Sequence, residues 1–465
     1  MTTAIKFGTS GWRAVIAEEF TLANVRRAVT GIARYVVSQK PRGARVIVGR
    51  DPRFLGETLV AMAAEILAAH GITPLVIAEP APTPAIAYEV IRSQADGAIN
   101  FTASHNPPEY NGIKFSTPDG ASALPEVTNQ IEAEIARLDG QPLAVQGVQP
   151  VNVDARAAYL ARLRELVDLE AIRKAGVRVC FDPLWGAARG YPDALLREAG
   201  VQVWTVHDCR DVLFGGHAPE PDDHLLSELR HKMAETNSHI GIATDGDADR
   251  FGILDQDGSF LQPNYLIALL FDYLVETRGW KNGVAKSVAT TNLITALARH
   301  HGVELHETPV GFKYIGELIK QDKIAIGGEE SAGLSIRHHV PEKDGIIAGL
   351  LAAEMVARRH KPLREQLQIL FGKVGSFYPL RENFRLTPEV KEQFTSKLKA
   401  EPREFFGRKV AGVVRTDGLK LLFEGGSWVC YRLSGTEPVV RVYTEARSRD
   451  DLAKLSGQAK EWIFH

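Results

Sequence analysis

Short β-branched or apolar runs recur along the chain, each ending in a glycine- or charge-rich loop and followed by a stretch of helical period. Ala44–Gly49 runs into Arg50-Asp51-Pro52-Arg53 and then the amphipathic stretch Glu57–Ala69. Asp96–Phe101 ends in Thr102-Ala103-Ser104-His105-Asn106-Pro107, Gly176–Phe181 in Asp182-Pro183-Leu184-Trp185-Gly186, and His239–Ala243 in Thr244-Asp245-Gly246-Asp247. Ile324–Ile326 ends in Gly327-Gly328-Glu329-Glu330. Strands alternating with helices predict parallel, doubly wound α/β units, and function in such sheets gathers in the loops beyond the carboxyl ends of the strands.

The pattern changes near the C-terminus. Asn383–Lys399 reads as a helix, Val410–Arg415, Leu419–Phe423, Ser427–Leu433 and Val439–Ala446 read as strands, and a closing helix follows. That order predicts an α+β terminal domain. Linkers are expected near Gln141–Val151, Leu254–Gln262 and Gly372–Phe377.

Composition narrows the class. With 465 residues, 45% apolar and 24% charged, the chain is an ordinary globular protein of several domains. A formal net charge of −2 advertises neither a nucleic-acid nor a membrane surface, so counter-charges for an anionic substrate must be gathered locally. Cys180, Cys209 and Cys430 lie far apart and form no CxxC pair, which fits a reducing, cytoplasmic setting. The apolar stretches Leu59–Ala69, Tyr265–Val275 and Gly345–Val356 each carry an acid and are shorter than a membrane span of ~20 residues. They predict buried helices.

Four loops carry candidate chemistry. In Thr102–Pro108, two prolines and an Asn after an apolar run force an irregular turn that presents Ser104 as a nucleophile; a plain turn-shaping role is the alternative. Lys114 follows closely as an acid–base group or charge clamp. Asp245, Asp247 and Asp249 alternate just past a strand and suit one hard cation. An EF-hand needs glycine at the sixth position and glutamate at the twelfth, where this chain has Arg250 and Gln256. A phosphatase with an aspartyl DxD pair leaves the third aspartate and Arg250 unexplained. Glu329 and Ser331, flanked by small residues, suit hydrogen bonds to sugar hydroxyls. Arg432, Ser434, Gly435, Thr436 and Arg441 suit a phosphate cradle, with a hairpin turn as the alternative. Arg13 and Lys313 each close a glycine-containing turn, and His338-His339 are expected to be structural.

TASHNP (102–107), DGDADR (245–250), GEESAG (328–333) and RLSGTEP (432–438), in this order, resemble the phosphoserine, metal, sugar-recognition and phosphate-binding loops of the α-D-phosphohexomutase superfamily. The resemblance implies three related mixed or parallel α/β domains (1–145, 146–255 and 256–372) and a TATA-box-binding-protein-like α+β domain (373–465) around a central cleft. It implies a mutase that moves phosphate between the ends of a hexose phosphate through a 1,6-bisphosphate, which also serves as activator. Ser104 would rest phosphorylated, and one Mg²⁺ would sit on a phosphoserine oxygen, Asp245, Asp247 and Asp249. Arg13, Lys114 and Arg250 would handle protons and charge, and Lys313, Glu329, Ser331, Arg432, Ser434, Gly435, Thr436 and Arg441 would bind substrate. A monomer or homodimer acting on a small sugar phosphate, without nucleic acid or membrane, is expected. The GEES stretch resembles phosphoglucomutases and phosphoglucomutase/phosphomannomutases and TPVGFK leans toward glucose, whereas phosphomannomutases often have histidine where Gly333 stands. Phosphomannomutase or phosphoglucosamine mutase activity is the alternative; a sugar-phosphate phosphatase or a non-catalytic sensor is more remote.

Overall fold

The computed structural model describes residues 5–8, 10–138, 144–434 and 438–464. They fold as two compact units: Met1–Pro263 with Gly311–Asp322 and Ser331–Leu363, and Asn264–Val310 with Lys323–Glu330 and Arg364–His465.

The first unit contains two sheets. β1 (Trp12–Val15), β2 (Arg45–Arg50), β3 (Thr73–Val76), β4 (Ala98–Phe101), β5 (Tyr110–Ser116) and β6 (Val151–Asn152) lie in the order β1-β5-β4-β2-β3-β6. β2, β3, β4 and β6 are mutually parallel, while β5 runs antiparallel to β4 and β1. Helix Leu22–Gln39 starts where the Thr21 side chain accepts from the Asn24 N–H, and it buries Val25, Val29 and Ile32 in the core of this sheet. The second sheet holds β7 (Arg178–Asp182), β8 (Gln202–Thr205), β9 (Ile240–Thr244), β10 (Phe251–Leu254) and β11 (Phe260–Leu261), in the order β11-β10-β9-β7-β8. β4 and β9 are wholly buried, so their apolar runs end directly in the loops that bear Ser104 and Asp245.

In the second unit, β12 (Gly283–Ser287) pairs in parallel with β13 (Leu305–Thr308) and β14 (Ile324–Glu329). β15 (Gly333–Ile336) and helix Gly345–Arg359 belong to the first unit. The terminal sheet runs β16 (Tyr378–Arg385), β21 (Val439–Ala446), β20 (Trp428–Leu433), β19 (Leu419–Phe423), β18 (Arg408–Val414) and β17 (Glu404–Phe405), antiparallel throughout. Leu421, Val429, Tyr431 and Val442 pack with Phe394, Leu455 and Ile463 from its helices. Each such side chain contributes roughly 1.5–3 kcal/mol on burial.

Two expectations change. Residues 378–385 form an edge strand, and the helix begins only at Pro388, where Thr387 caps it. The 254–262 segment, expected as a linker, is the β10–β11 hairpin, turned at Gly258 with φ +76°. The three apolar stretches lie in helices Gly56–Ala69, Pro263–Arg278 and Gly345–Arg359. No helix among the described residues is long and apolar enough to cross a membrane.

Candidate active site

Ser104 stands in the loop that follows β4 with φ +52°, a backbone state uncommon for a residue with a side chain. It is completely buried, and its Oγ donates to Asp245 Oδ2 at 2.6 Å. Its N–H donates to Thr102 Oγ1 at 2.9 Å. The loops of the two sheets meet this closely because residue 246 is glycine: a Cβ there would lie 2.6 Å from the Ser104 carbonyl oxygen.

Asp245, Asp247 and Asp249 have no exposed surface and offer carboxylate oxygens within 4.8 Å of one another. Lys114 Nζ lies 2.6 Å from Asp247 Oδ2 and 2.8 Å from Asp249 Oδ2. Lys343 Nζ donates to Asp249 Oδ2 at 2.5 Å, and Thr83 Oγ1 to Asp247 Oδ2 at 2.5 Å. The Arg250 N–H donates to Asp245 Oδ1 at 3.0 Å, and its guanidinium meets Glu220 at 3.2 Å. Arg13 Nη1 donates to Asn106 Oδ1 at 2.8 Å.

Burial, then the charges of Asp249 and Asp247, push the Asp245 carboxyl well above the usual carboxylate range. At Asp249 burial acts the same way, but Lys114, Lys343 and Arg250 outweigh it and hold that carboxyl well below the range. Burial works against the Lys114 ammonium too, yet Asp247 and Asp249 overcome it and keep the lysine firmly protonated. Burial and the nearby Arg250 and Arg13 drive His105 well below its ordinary value, leaving a neutral imidazole 3.4 Å from Ser104 Oγ.

The residues fit a divalent cation. Asp247 Oδ1 and Asp249 Oδ1 are buried and accept no hydrogen bond among the described residues. Three crowded carboxylates, one of them driven toward protonation by burial and then by the charge of the others, are the donor set a hard oxygen-seeking ion relieves.

Among the substrate-binding candidates, Lys313 is in the first turn of helix Phe312–Lys320 and Ser331 is in the first unit, whereas Glu329 ends β14 in the second unit. In the second unit, Arg432 of β20 stands directly opposite Arg441 of β21, and Arg432 pairs with Asp417 at 2.7 Å. Two guanidiniums in cross-strand register repel, and the Asp417 carboxylate offsets that repulsion at Arg432. The Ser434 N–H donates to the Val439 carbonyl at 2.9 Å, closing the connection. Gly435 and Thr436 lie outside the described residues. His338 is exposed, while the His339 side chain is covered and bonds Asp344 at 2.6 Å.

Lys343 and Thr83 escaped the sequence reading. The one signal for Lys343 is the following Asp344-Gly345, where Asp344 caps a helix by accepting from the Ile346 and Ile347 N–H groups.

Family models of phosphoglucomutase/phosphomannomutase match along the chain: α/β/α domain I at residues 4–141, domain II at 157–258, domain III at 262–374 and the C-terminal domain at 389–461. The phosphoglucomutase/phosphomannomutase of Thermococcus kodakarensis is 30% identical over 445 residues, which cover 96% of this chain and 95% of the relative. The chain belongs to the phosphoglucomutase/phosphomannomutase family of the α-D-phosphohexomutase superfamily. A probable phosphoglucosamine mutase of Methanopyrus kandleri is likewise 30% identical, over 97% of this chain and 95% of the relative. The crystal structure of a putative phosphomannomutase from Thermus thermophilus superposes with a TM-score of 0.86 at 32% identity, covering 100% of both chains. The family fold, three α/β domains and a C-terminal domain, is that of this phosphohexomutase. Its members carry different sugar names, so family membership fixes the class of enzyme and not the sugar.

Proposed function

We propose that this phosphohexomutase interconverts hexose 1-phosphate and hexose 6-phosphate, with glucose the preferred sugar, using Ser104 as the carrier of the transferred phosphate. The observation that carries this reading is the 2.6 Å hydrogen bond from the buried Ser104 hydroxyl to Asp245 within the aspartate triad. Asp245, Asp247, Asp249 and a phosphoserine oxygen would hold Mg²⁺. When bound, the ion supplies neutralising charge for the transferring group.

Phosphate anchored on Arg432, Ser434, Gly435, Thr436 and Arg441 aims the far hydroxyl of the sugar at phosphoserine 104, which makes the attack nearly intramolecular. The sugar oxygen forms a bond to phosphorus as the bond to Ser104 Oγ breaks, giving a hexose 1,6-bisphosphate. That bisphosphate turns over, and its other phosphate returns to Ser104 Oγ. Glu329 and Ser331 hold sugar hydroxyls in both orientations, with Lys313 a further contact. Lys114, held protonated, serves as a fixed charge beside Arg13 and Arg250. Lys343, an ammonium paired with Asp249, is the candidate proton donor to the departing Ser104 Oγ, and the proton given up by the sugar hydroxyl restores it. A Cβ at position 333 would lie 2.4 Å from Lys343 Cδ, so glycine there leaves room for this lysine, which supports a preference away from the histidine-bearing mannose type. Domain limits of 1–145, 146–255, 256–372 and 373–465 accompany this reading.

The test is incubation with Mg²⁺, a trace of hexose 1,6-bisphosphate and, separately, glucose, mannose, glucosamine and N-acetylglucosamine 1-phosphates. Fastest conversion of glucose 1-phosphate to the 6-phosphate is expected. Faster turnover of another sugar would reassign the substrate, and release of inorganic phosphate alone would make the enzyme a phosphatase.

A further inference from the structure

Arg53 lies in the loop between β2 and helix Gly56–Ala69 and has no exposed surface. A guanidinium carries five N–H donors, and leaving any of them unpaired in the interior is costly. All five donors of Arg53 are used. Nε donates to Asp51 Oδ2 at 3.1 Å. Nη1 donates to the carbonyls of Pro107 at 2.8 Å and Tyr110 at 3.0 Å, and Nη2 to those of Ser104 at 2.8 Å and Asn106 at 2.6 Å. Four of the five bonds therefore end on the backbone of the Ser104 loop and the start of the strand it feeds.

Asp51 completes the frame. Its Oδ1 accepts from the Arg53 N–H at 2.9 Å, and its Oδ2 from Thr102 Oγ1 at 2.6 Å. Thr102 Oγ1 in turn accepts from the Ser104 N–H. Both backbone polar groups of Ser104 are thus fixed by one buried Asp51–Arg53 pair, at the residue whose φ is +52°. Such a conformation persists only where its surroundings over-determine it.

The guanidinium is covered by the fully buried ring of Phe214, whose centroid lies 4.9 Å away. Phe214 is itself at φ +49° and is carried on the segment that also supplies Pro219, whose carbonyl accepts from the Gly246 N–H at 3.2 Å, and Glu220, the partner of Arg250. One segment thereby touches the support of the nucleophile loop and the aspartate loop together.

We infer that Arg53 is a positioning residue for phosphoryl transfer: under the Phe214 ring it holds the carbonyls of the Ser104 loop so that Ser104 Oγ meets Asp245. The inference rests on Ser104 being the phosphate carrier. Lysine cannot replace the guanidinium, because its ammonium has three donors and no planar fork. A shift of the loop by an ångström costs about 100-fold in rate without altering how a distant phosphate is gripped.

The full chain and its R53K, F214A and S104A variants are compared with Mg²⁺, hexose 1,6-bisphosphate and the hexose 1-phosphate that the unaltered chain turns over best. The readouts are kcat, KM, the rate at which Ser104 gains phosphate (by intact mass), and the near-ultraviolet circular dichroism of the folded state. R53K is expected to lose about 100-fold in kcat and in Ser104 phosphorylation, with KM almost unchanged. Unchanged kcat, or a loss confined to KM, overturns the inference. If R53K does not fold, F214A decides: a fall of about tenfold in kcat at constant KM supports it, and full kcat refutes it. S104A separates the two levels. Turnover retained by S104A removes the carrier role of Ser104, whereas an inactive S104A beside a fully active R53K removes only the role of Arg53.

Discussion

Ser104, Asp245, Asp247 and Asp249 have no exposed surface, and the side chains around them are bonded to one another across two sheets. Arg432, Ser434 and Arg441 are only partly buried, on a hairpin with two like charges in register and Asp417 as the carboxylate partner of Arg432. The first region is a closed set of buried charges in which, of the carboxylate oxygens, only Asp247 Oδ1 and Asp249 Oδ1 are without a hydrogen bond among the described residues; the second is half-open, and in the proposed function it closes on the phosphate of the sugar. Chemistry that stabilises a short-lived charge distribution needs fixed dipoles in a dry site, because nothing can reorganise during the step. Gripping a phosphate needs only complementary charge, and solvent can fill the gap meanwhile.

The contrast breaks most sharply at Asp249. D249N places an amide where Lys114 and Lys343 expect a carboxylate and removes a charged ligand candidate. Steady-state assays are expected to show kcat lower by about 10³-fold, together with weaker Mn²⁺ binding by calorimetry. A variant with normal turnover and metal affinity would mean that the triad is merely structural.

At Arg432 the effect is smaller and of another kind. R432A should raise KM about tenfold while kcat falls by much less, the cost of one charge-assisted contact. Were kcat to collapse at constant KM, the hairpin would belong to the chemistry and the distinction between the regions would fail.

The smallest effect lies at His207, in the segment that leads to Phe214. Burial disfavours its imidazolium, but the hydrogen bond and charge of Asp182, joined by Glu228, outweigh burial and raise its pKa. A raised folded-state pKa adds stability below the unfolded value near 6.5 and loses it as pH rises through the folded value. H207Q should therefore lower the thermal midpoint more at pH 5.5 than at pH 8.5. An equal loss at both would show that His207 acts through packing on Trp185, 3.9 Å away, and not through charge.

Much of this was legible in the chain. β2, β4, β7 and β9 lie where the apolar runs predicted them, because a strand buried on both faces leaves a continuous hydrophobic signature. Ser104 and the three aspartates are unusual residues at the ends of such strands, so local sequence exposes them. β16 was hidden because its alternation of exposed and half-buried residues resembles a polar helix face. Lys343, Thr83 and Arg53 were hidden for a different reason: each meets the site only through folding, from residues 94, 164 and 51 positions away. Nothing in the neighbourhood of Arg53 announces that its five donors close on a loop made by another strand.

Phosphate labelled on Ser104 provides the most direct measurement. Full-length protein carrying isotopically labelled phosphoserine 104 is mixed in a single turnover with unlabelled glucose 1-phosphate and Mg²⁺, and products are followed over time. The account predicts that the label leaves Ser104 and appears in glucose 1,6-bisphosphate and then glucose 6-phosphate, while the phosphate originally on the sugar comes to reside on Ser104. Label that stays on the protein while 6-phosphate accumulates, or that departs as inorganic phosphate, would contradict it.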